Sequence, residues 1–99
     1  MEEILSFLIA GVQHHEGKER IDEIKEGDKV HLILEPDNKY DSNAIRIEWA
    51  NCMLGYVPKI KNRVLLQYIN MYEISAEIKK ADPKANLWTA LEVAVYKDA

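Results

Sequence analysis

EPDNKYDSNAI, running from Glu35 to Ile45, is a long polar segment set between two apolar runs whose side chains alternate. Before it, Lys29 to Glu35 places Val30, Leu32 and Leu34 on one face and His31 and Glu35 on the other. After it, Ala44 to Trp49 turns Ile45, Ile47 and Trp49 inward. A period of two marks half-buried strands, so the segment is a connection between strands, and a longer one than a hairpin needs. Pro36 fixes φ, and the Asp, Asn and Ser side chains bond their own backbone, which accounts for the turn itself. Turn chemistry does not call for Tyr40 beside Asp41. An aromatic face next to a carboxylate is what a ligand site uses to stack on a ring and accept from a hydroxyl; a plain turn is the alternative reading.

Working outward, Leu5 to Val12 is almost continuously apolar around Gly11 and predicts a buried first strand. In Gly17 to Asp28, Ile21 and Ile24 stand three apart before Gly27, the pattern of one short helix. Ala50-Asn51-Cys52 is a tight connection into Met53-Leu54-Gly55-Tyr56-Val57, a hairpin partner for the Ala44 to Trp49 strand. Pro58 suits a helix start, and Ile60, Val64, Leu65, Tyr68 and Ile69 follow at helical spacing. Ile74, Ala76 and Ile78 give a fifth strand, Asp82-Pro83-Lys84 a turn, and Leu87, Thr89, Leu91, Val93 and Val95 a sixth. The expectation is one mainly β domain over residues 1–99 with two helices: a small six-stranded antiparallel sheet curled into a partly open barrel, since curling removes exposed edges. Barrels of this size commonly bind nucleic acid on one face.

The net charge of −4 argues against coating duplex DNA by bulk electrostatics. The charge is uneven: residues 1–50 carry 6 basic against 12 acidic side chains and residues 51–99 carry 7 against 5, so the halves stand at −6 and +2. Lys59, Lys61 and Arg63 form the tightest basic group, either a solvated helix face or a set of local phosphate contacts. No apolar run reaches membrane-spanning length, and the acidic MEEILSF start differs from a secretory signal, so a cytoplasmic protein without a membrane partner is expected.

Enzymatic chemistry finds little support. There is no Gly-rich loop ending in Lys and Ser or Thr, and no Gly-x-Ser-x-Gly elbow. The single cysteine, Cys52, excludes an internal disulfide and a multi-cysteine zinc site, and reads as a small residue at a strand start. His14 and His15, adjacent on an extended chain, would point to opposite faces and could hardly share one metal. No cofactor and no metal are expected. His14 is either a polar strand exit or a ligand contact, with Gln13 beside it as donor and acceptor. Trp88 is either a packing residue at a strand edge or a stacking platform.

Three stretches, in this order and spacing, carry a resemblance: IAGVQHHEG from Ile9 to Gly17, EPDNKYDSNAI, and LGYVPKIKN from Leu54 to Asn62. Together they resemble the HIRAN domain, found at the N-terminus of Swi/Snf-type fork-remodelling and repair ATPases and as small free-standing bacterial and phage proteins. The likeness spans nearly the whole chain, and with no helicase alongside it is similar to the free-standing form. It implies an OB-like β-barrel, non-catalytic, whose pocket captures the 3′-hydroxyl end of single-stranded DNA in repair or replication-fork processing. By the same resemblance Asp41 accepts the terminal hydroxyl, Tyr40 stacks on the end base, and Trp88 supplies the other side of that base. Gly11 marks a close backbone approach to DNA, Lys59 a phosphate contact, and Tyr56 a neighbouring polar ring; Asn38 belongs to the same motif. Where the eukaryotic fork remodeller has an Arg-Tyr pair after the first-strand glycine, this chain has Gln13 and His14, which removes a charge-assisted phosphate bond. A separate helicase or nuclease would be the working partner. The competing reading is a protein-interaction barrel that has lost the DNA-end pocket, in keeping with the acidic first half.

Overall fold

The computed structural model describes residues 1–98. Alternating apolar residues produce six strands: β1 Glu2–Leu8, β2 Lys29–Leu34, β3 Ile45–Trp49, β4 Cys52–Tyr56, β5 Ile74–Ala81 and β6 Leu91–Lys97. All pair antiparallel in the order β1-β6-β5-β2-β3-β4. Inward residues such as Phe7, Ile45, Ile47, Leu54, Ile78 and Val93 form one core. Register shifts in β1, β4 and β5 are β-bulges, which increase local twist and curl the sheet. The curl brings the two sheet edges together at one point, where Ala10 and Tyr56 exchange two backbone hydrogen bonds of 2.9 Å each. The barrel stays partly open: β2 and β5 share only the pairs Lys29↔Glu77 and Val30↔Ala76.

The β3–β4 hairpin closes on Ala50 (φ 46) and Asn51 (φ 65), the two left-handed residues a tight two-residue turn requires. Pro58, with φ −54, caps the start of α1, Lys59–Met71. This helix buries Asn62 and Leu65 and packs Leu66 and Ile69 against the core. Ile60 and Val64, which share the expected apolar spacing, turn outward instead, Ile60 remaining 90% exposed.

Other expectations need correcting. The first strand spans Glu2 to Leu8, not Leu5 to Val12: Gly11 adopts a left-handed φ of 78, and Val12 is buried in a short 3-10 turn, Val12–His14. His14 and His15 therefore lie on a helical turn and its exit, not on a strand. The expected short helix is instead a 3-10 segment, Glu16–Glu23, broken by a kink at Arg20, whose φ of −118 and ψ of 17 are non-helical; Ile24 follows it in extended conformation, its amide donating to the Ile21 carbonyl at 3.3 Å. The sixth strand starts at Leu91. Asn86 wins locally over alternation, its side-chain oxygen accepting from the Trp88 amide (3.0 Å) and its carbonyl from the Thr89 amide (3.1 Å), so Leu87 to Thr89 form a turn. Leu34 is exposed rather than inward, and Glu35, expected to face out with His31, is half-buried.

Candidate nucleic-acid interface

The polar loop between β2 and β3 is organised by Glu35. Its Oε1 accepts from Asn38 Nδ2 (3.0 Å) and from the Tyr56 hydroxyl (2.9 Å), and its Oε2 from an Arg46 terminal nitrogen (3.0 Å). Burial alone would raise the Glu35 carboxyl, but the bonds from Asn38, Tyr56 and Arg46 outweigh it and hold the group below its ordinary value. The Tyr56 phenol moves the other way, raised by burial and by donating to a carboxylate. Arg46 Nε also lies 2.8 Å from Glu48 Oε2, an ion pair without hydrogen-bond alignment.

Asn38 passes this anchoring on. Its Oδ1 accepts from the amides of Tyr40 (2.9 Å) and Asp41 (3.1 Å), turning the chain so that the Tyr40 ring stands 93% exposed. Asp41 Oδ1 accepts from the Asn43 amide at 2.9 Å, and Oδ2 from Asn62 Nδ2 of α1 at 2.8 Å. A carboxylate has about four lone-pair positions. Asp41 thus retains acceptor capacity after both internal bonds.

Between this loop, the Ala10–Tyr56 bridge and α1 lies a cavity of about 360 Å³. Asn38, Tyr40, Asp41, Tyr56 and Lys59 line it together with Ala10, Ala44, Val57 and Asn62. Five residues singled out from the sequence, drawn from the loop, β4 and α1, thus share one concavity. Gly11, Gln13, His14 and Trp88 are not among its lining residues. Gly11 adjoins Ala10; His14 is exposed on the following 3-10 turn, and the buried Gln13 Oε1 has no hydrogen-bond partner. Trp88, 71% exposed, sits in the β5–β6 connection leading to Leu91, whose carbonyl accepts from the Ile9 amide at 3.0 Å, one residue before Ala10.

Three participants escape sequence reading. Glu35 looked like an outward strand residue. Asn62 is 3% exposed, and its place with Leu65, Leu66 and Ile69 on the inward helix stripe was a usable signal. His15, rather than His14, packs on the site: its ring meets Tyr56 edge-on at 5.8 Å, and burial, then the charge of His14, lower its pKa against the pull of Glu35. Among the described residues no cluster of three or more His, Cys, Asp or Glu side chains is placed to hold a metal, and no helix is long and apolar enough to cross a membrane.

No curated protein matches the chain significantly in sequence. Two crystal structures share its fold. A protein from Lactobacillus plantarum is 19% identical, with a TM-score of 0.80 over 97% of this chain and 93% of that one. The HIRAN domain of human HLTF is 21% identical, with a TM-score of 0.70 over 95% of this chain and 76% of that one. The HIRAN domain family model matches residues 3–97. With its partly open six-stranded barrel and nearly its whole length matched, the chain belongs to the HIRAN domain family, whose members are DNA-binding and generally non-catalytic.

Proposed function

We propose that this domain is a non-catalytic module that captures 3′-hydroxyl ends of single-stranded DNA in the cavity between the 35–45 loop and α1. The observation that carries the reading is the convergence on one concavity of a free aromatic ring, Tyr40, a carboxylate with spare acceptor positions, Asp41, and an exposed lysine, Lys59. An end-binding pocket needs those three chemistries: a face for the last base, an acceptor for its hydroxyl and a cation for the preceding phosphate. Asn38 and Tyr56 shape the cavity through Glu35. Trp88, Gly11, Gln13 and His14, which do not line the cavity, enter this reading only through the family resemblance, Trp88 for the other face of the base and the other three for the approach to it. The module would act in the cytoplasm, in repair or fork processing, beside a separate helicase or nuclease.

Fluorescence anisotropy with short single strands ending in 3′-hydroxyl, 3′-phosphate or a blocking group tests the reading. The hydroxyl end should bind tightest, because a phosphate removes the donor and sets negative charge against Asp41. Asp41→Ala should lose most of that preference, about 1.5–3 kcal/mol for a bond to a charged group. Equal affinity for hydroxyl and phosphate ends would sink the end-capture role. A protein-interaction barrel, the competing class, would bind none of the strands and show no steep salt dependence.

A further inference from the structure

A second cavity of about 350 Å³ adjoins the first. Asp41, Lys59 and Asn62 line both, so the two are neighbours that share a boundary, crossed by the Asn62–Asp41 hydrogen bond, and together they make a trench in two parts, the second completed by Asn43 from the loop and by Ile60 and Arg63 from α1. Neither Lys59 nor Arg63 lies in an ion pair among the described residues. They stand one helical turn apart on one face, about 5–6 Å between Cβ atoms, and follow the trench in file. Ile60, which lines the same cavity, exposes 90% of its surface, a large apolar side chain that the core leaves outside. The opposite wall carries the Asp41 carboxylate and the Asn43 side chain. Negative charge on one wall and two unpaired cations on the other confine a bound anion chain to the α1 side.

We infer that this trench is a second nucleotide subsite, in which the penultimate nucleotide rests on Ile60 and the phosphate beyond it meets Arg63. The inference rests on the end-capture reading for its direction, since a terminal nucleoside in the first cavity puts its 5′-phosphate at Lys59. Arg63 then meets the next phosphate, one that a strand of two nucleotides without a 5′-phosphate lacks and a strand of three possesses. Arg63 is therefore a length-reading residue, whereas Lys59 serves strands of any length.

Anisotropy titrations with 3′-hydroxyl oligothymidylates of two, three and four nucleotides test it. The unmutated protein should bind three nucleotides several-fold more tightly than two, and Arg63→Ala should abolish that gain while leaving the two-nucleotide affinity unchanged. On strands of three or four, the same substitution should lower the logarithmic salt slope by about 0.7, the value for one phosphate of a single strand. Ile60→Ala should weaken strands of two and three by a similar factor, without changing the salt slope. Equal weakening of all lengths by Arg63→Ala, or none, would overturn the subsite. The end preference is read separately, at fixed length, from hydroxyl against phosphate ends. A lost end preference with the length effect intact refutes only end capture; an intact end preference with no length effect refutes only the second subsite.

Discussion

Asn62 Nδ2 donates to Asp41 Oδ2 across 2.8 Å, joining the buried face of α1 to the tip of a loop 21 residues earlier in the chain. The carboxylate is thus positioned by the helix as well as by its own turn, and helix and loop cannot shift independently around it.

Asn62→Ala leaves the Asp41 oxygen without its helix donor and opens a small gap beside Leu65. A loss of about 1–3 kcal/mol in unfolding free energy is expected from urea denaturation, with a reduced preference for 3′-hydroxyl ends. In a double-mutant cycle with Asp41→Ala the two effects should couple by about 0.5–3 kcal/mol. Strict additivity would mean that the bond contributes nothing.

Tyr40 separates binding from stability. Its ring makes so little contact with the protein, at 93% exposed, that Tyr40→Ala should change stability by no more than about 0.5 kcal/mol. If the ring stacks on a base, the same change should weaken single-strand binding by about 1–3 kcal/mol. Tyr56→Phe should do the reverse in part, removing the hydroxyl that donates to Glu35 at 2.9 Å and lowering stability by about 0.5–1.5 kcal/mol.

Acid should act on the loop through Glu35. Its folded pKa lies below the ordinary 4.5, so its contribution to stability is complete above 4.5 and fades as pH falls below that value through the folded pKa. The unfolded chain binds the proton first, which sets this sign. Urea midpoints followed from neutral pH into acid should therefore fall less steeply for Glu35→Gln than for the unmutated protein. Parallel acid limbs would show that Glu35 is not the responsible group.

Gly55 should tolerate no side chain. A Cβ there would collide with the Ala10 carbonyl oxygen and approach Ile9 Cγ2 to 2.8 Å, where two strands must meet. Gly55→Ala should destabilise by about 1–3 kcal/mol, as overpacking does, and should weaken DNA binding as well because Ala10 and Tyr56 line the cavity. Wild-type thermal stability in this variant would contradict the packing described.

The strands β2 to β5, the tight hairpin and the site loop were legible because each obeys a local rule: alternation, two-residue turn geometry, or Asx chemistry. Legibility ended where a distant or special partner decides the outcome. The end of β1 depends on Gly11 entering the left-handed region, and an apolar run up to Val12 gives no sign of that. Trp88 left the expected strand because the Asn86 side chain captured its amide. Tyr40, Asp41 and Lys59 could be placed in one site by motif, whereas Glu35 acquires its importance from Tyr56 and Arg46, which reach it only when β3 is paired with β2 and β4 with β3. Asn62 escapes because helical apolar spacing does not mark a polar side chain as inward, and its burial rests on the bond to Asp41.

The bridge between Ala10 and Tyr56 is at once the clasp of the barrel and a wall of the cavity. A ligand seated against both residues would act as an additional strut across that clasp, slowing its transient openings without any visible change of shape. Occupancy would then be recorded in amide hydrogen exchange: protection rising at Ala10 and Tyr56 and spreading into the flanking strand ends, while the distant β5–β6 ladder keeps its rates. In such a molecule the tightness of the seam and the affinity of the pocket are linked, and variants that open the first should weaken the second.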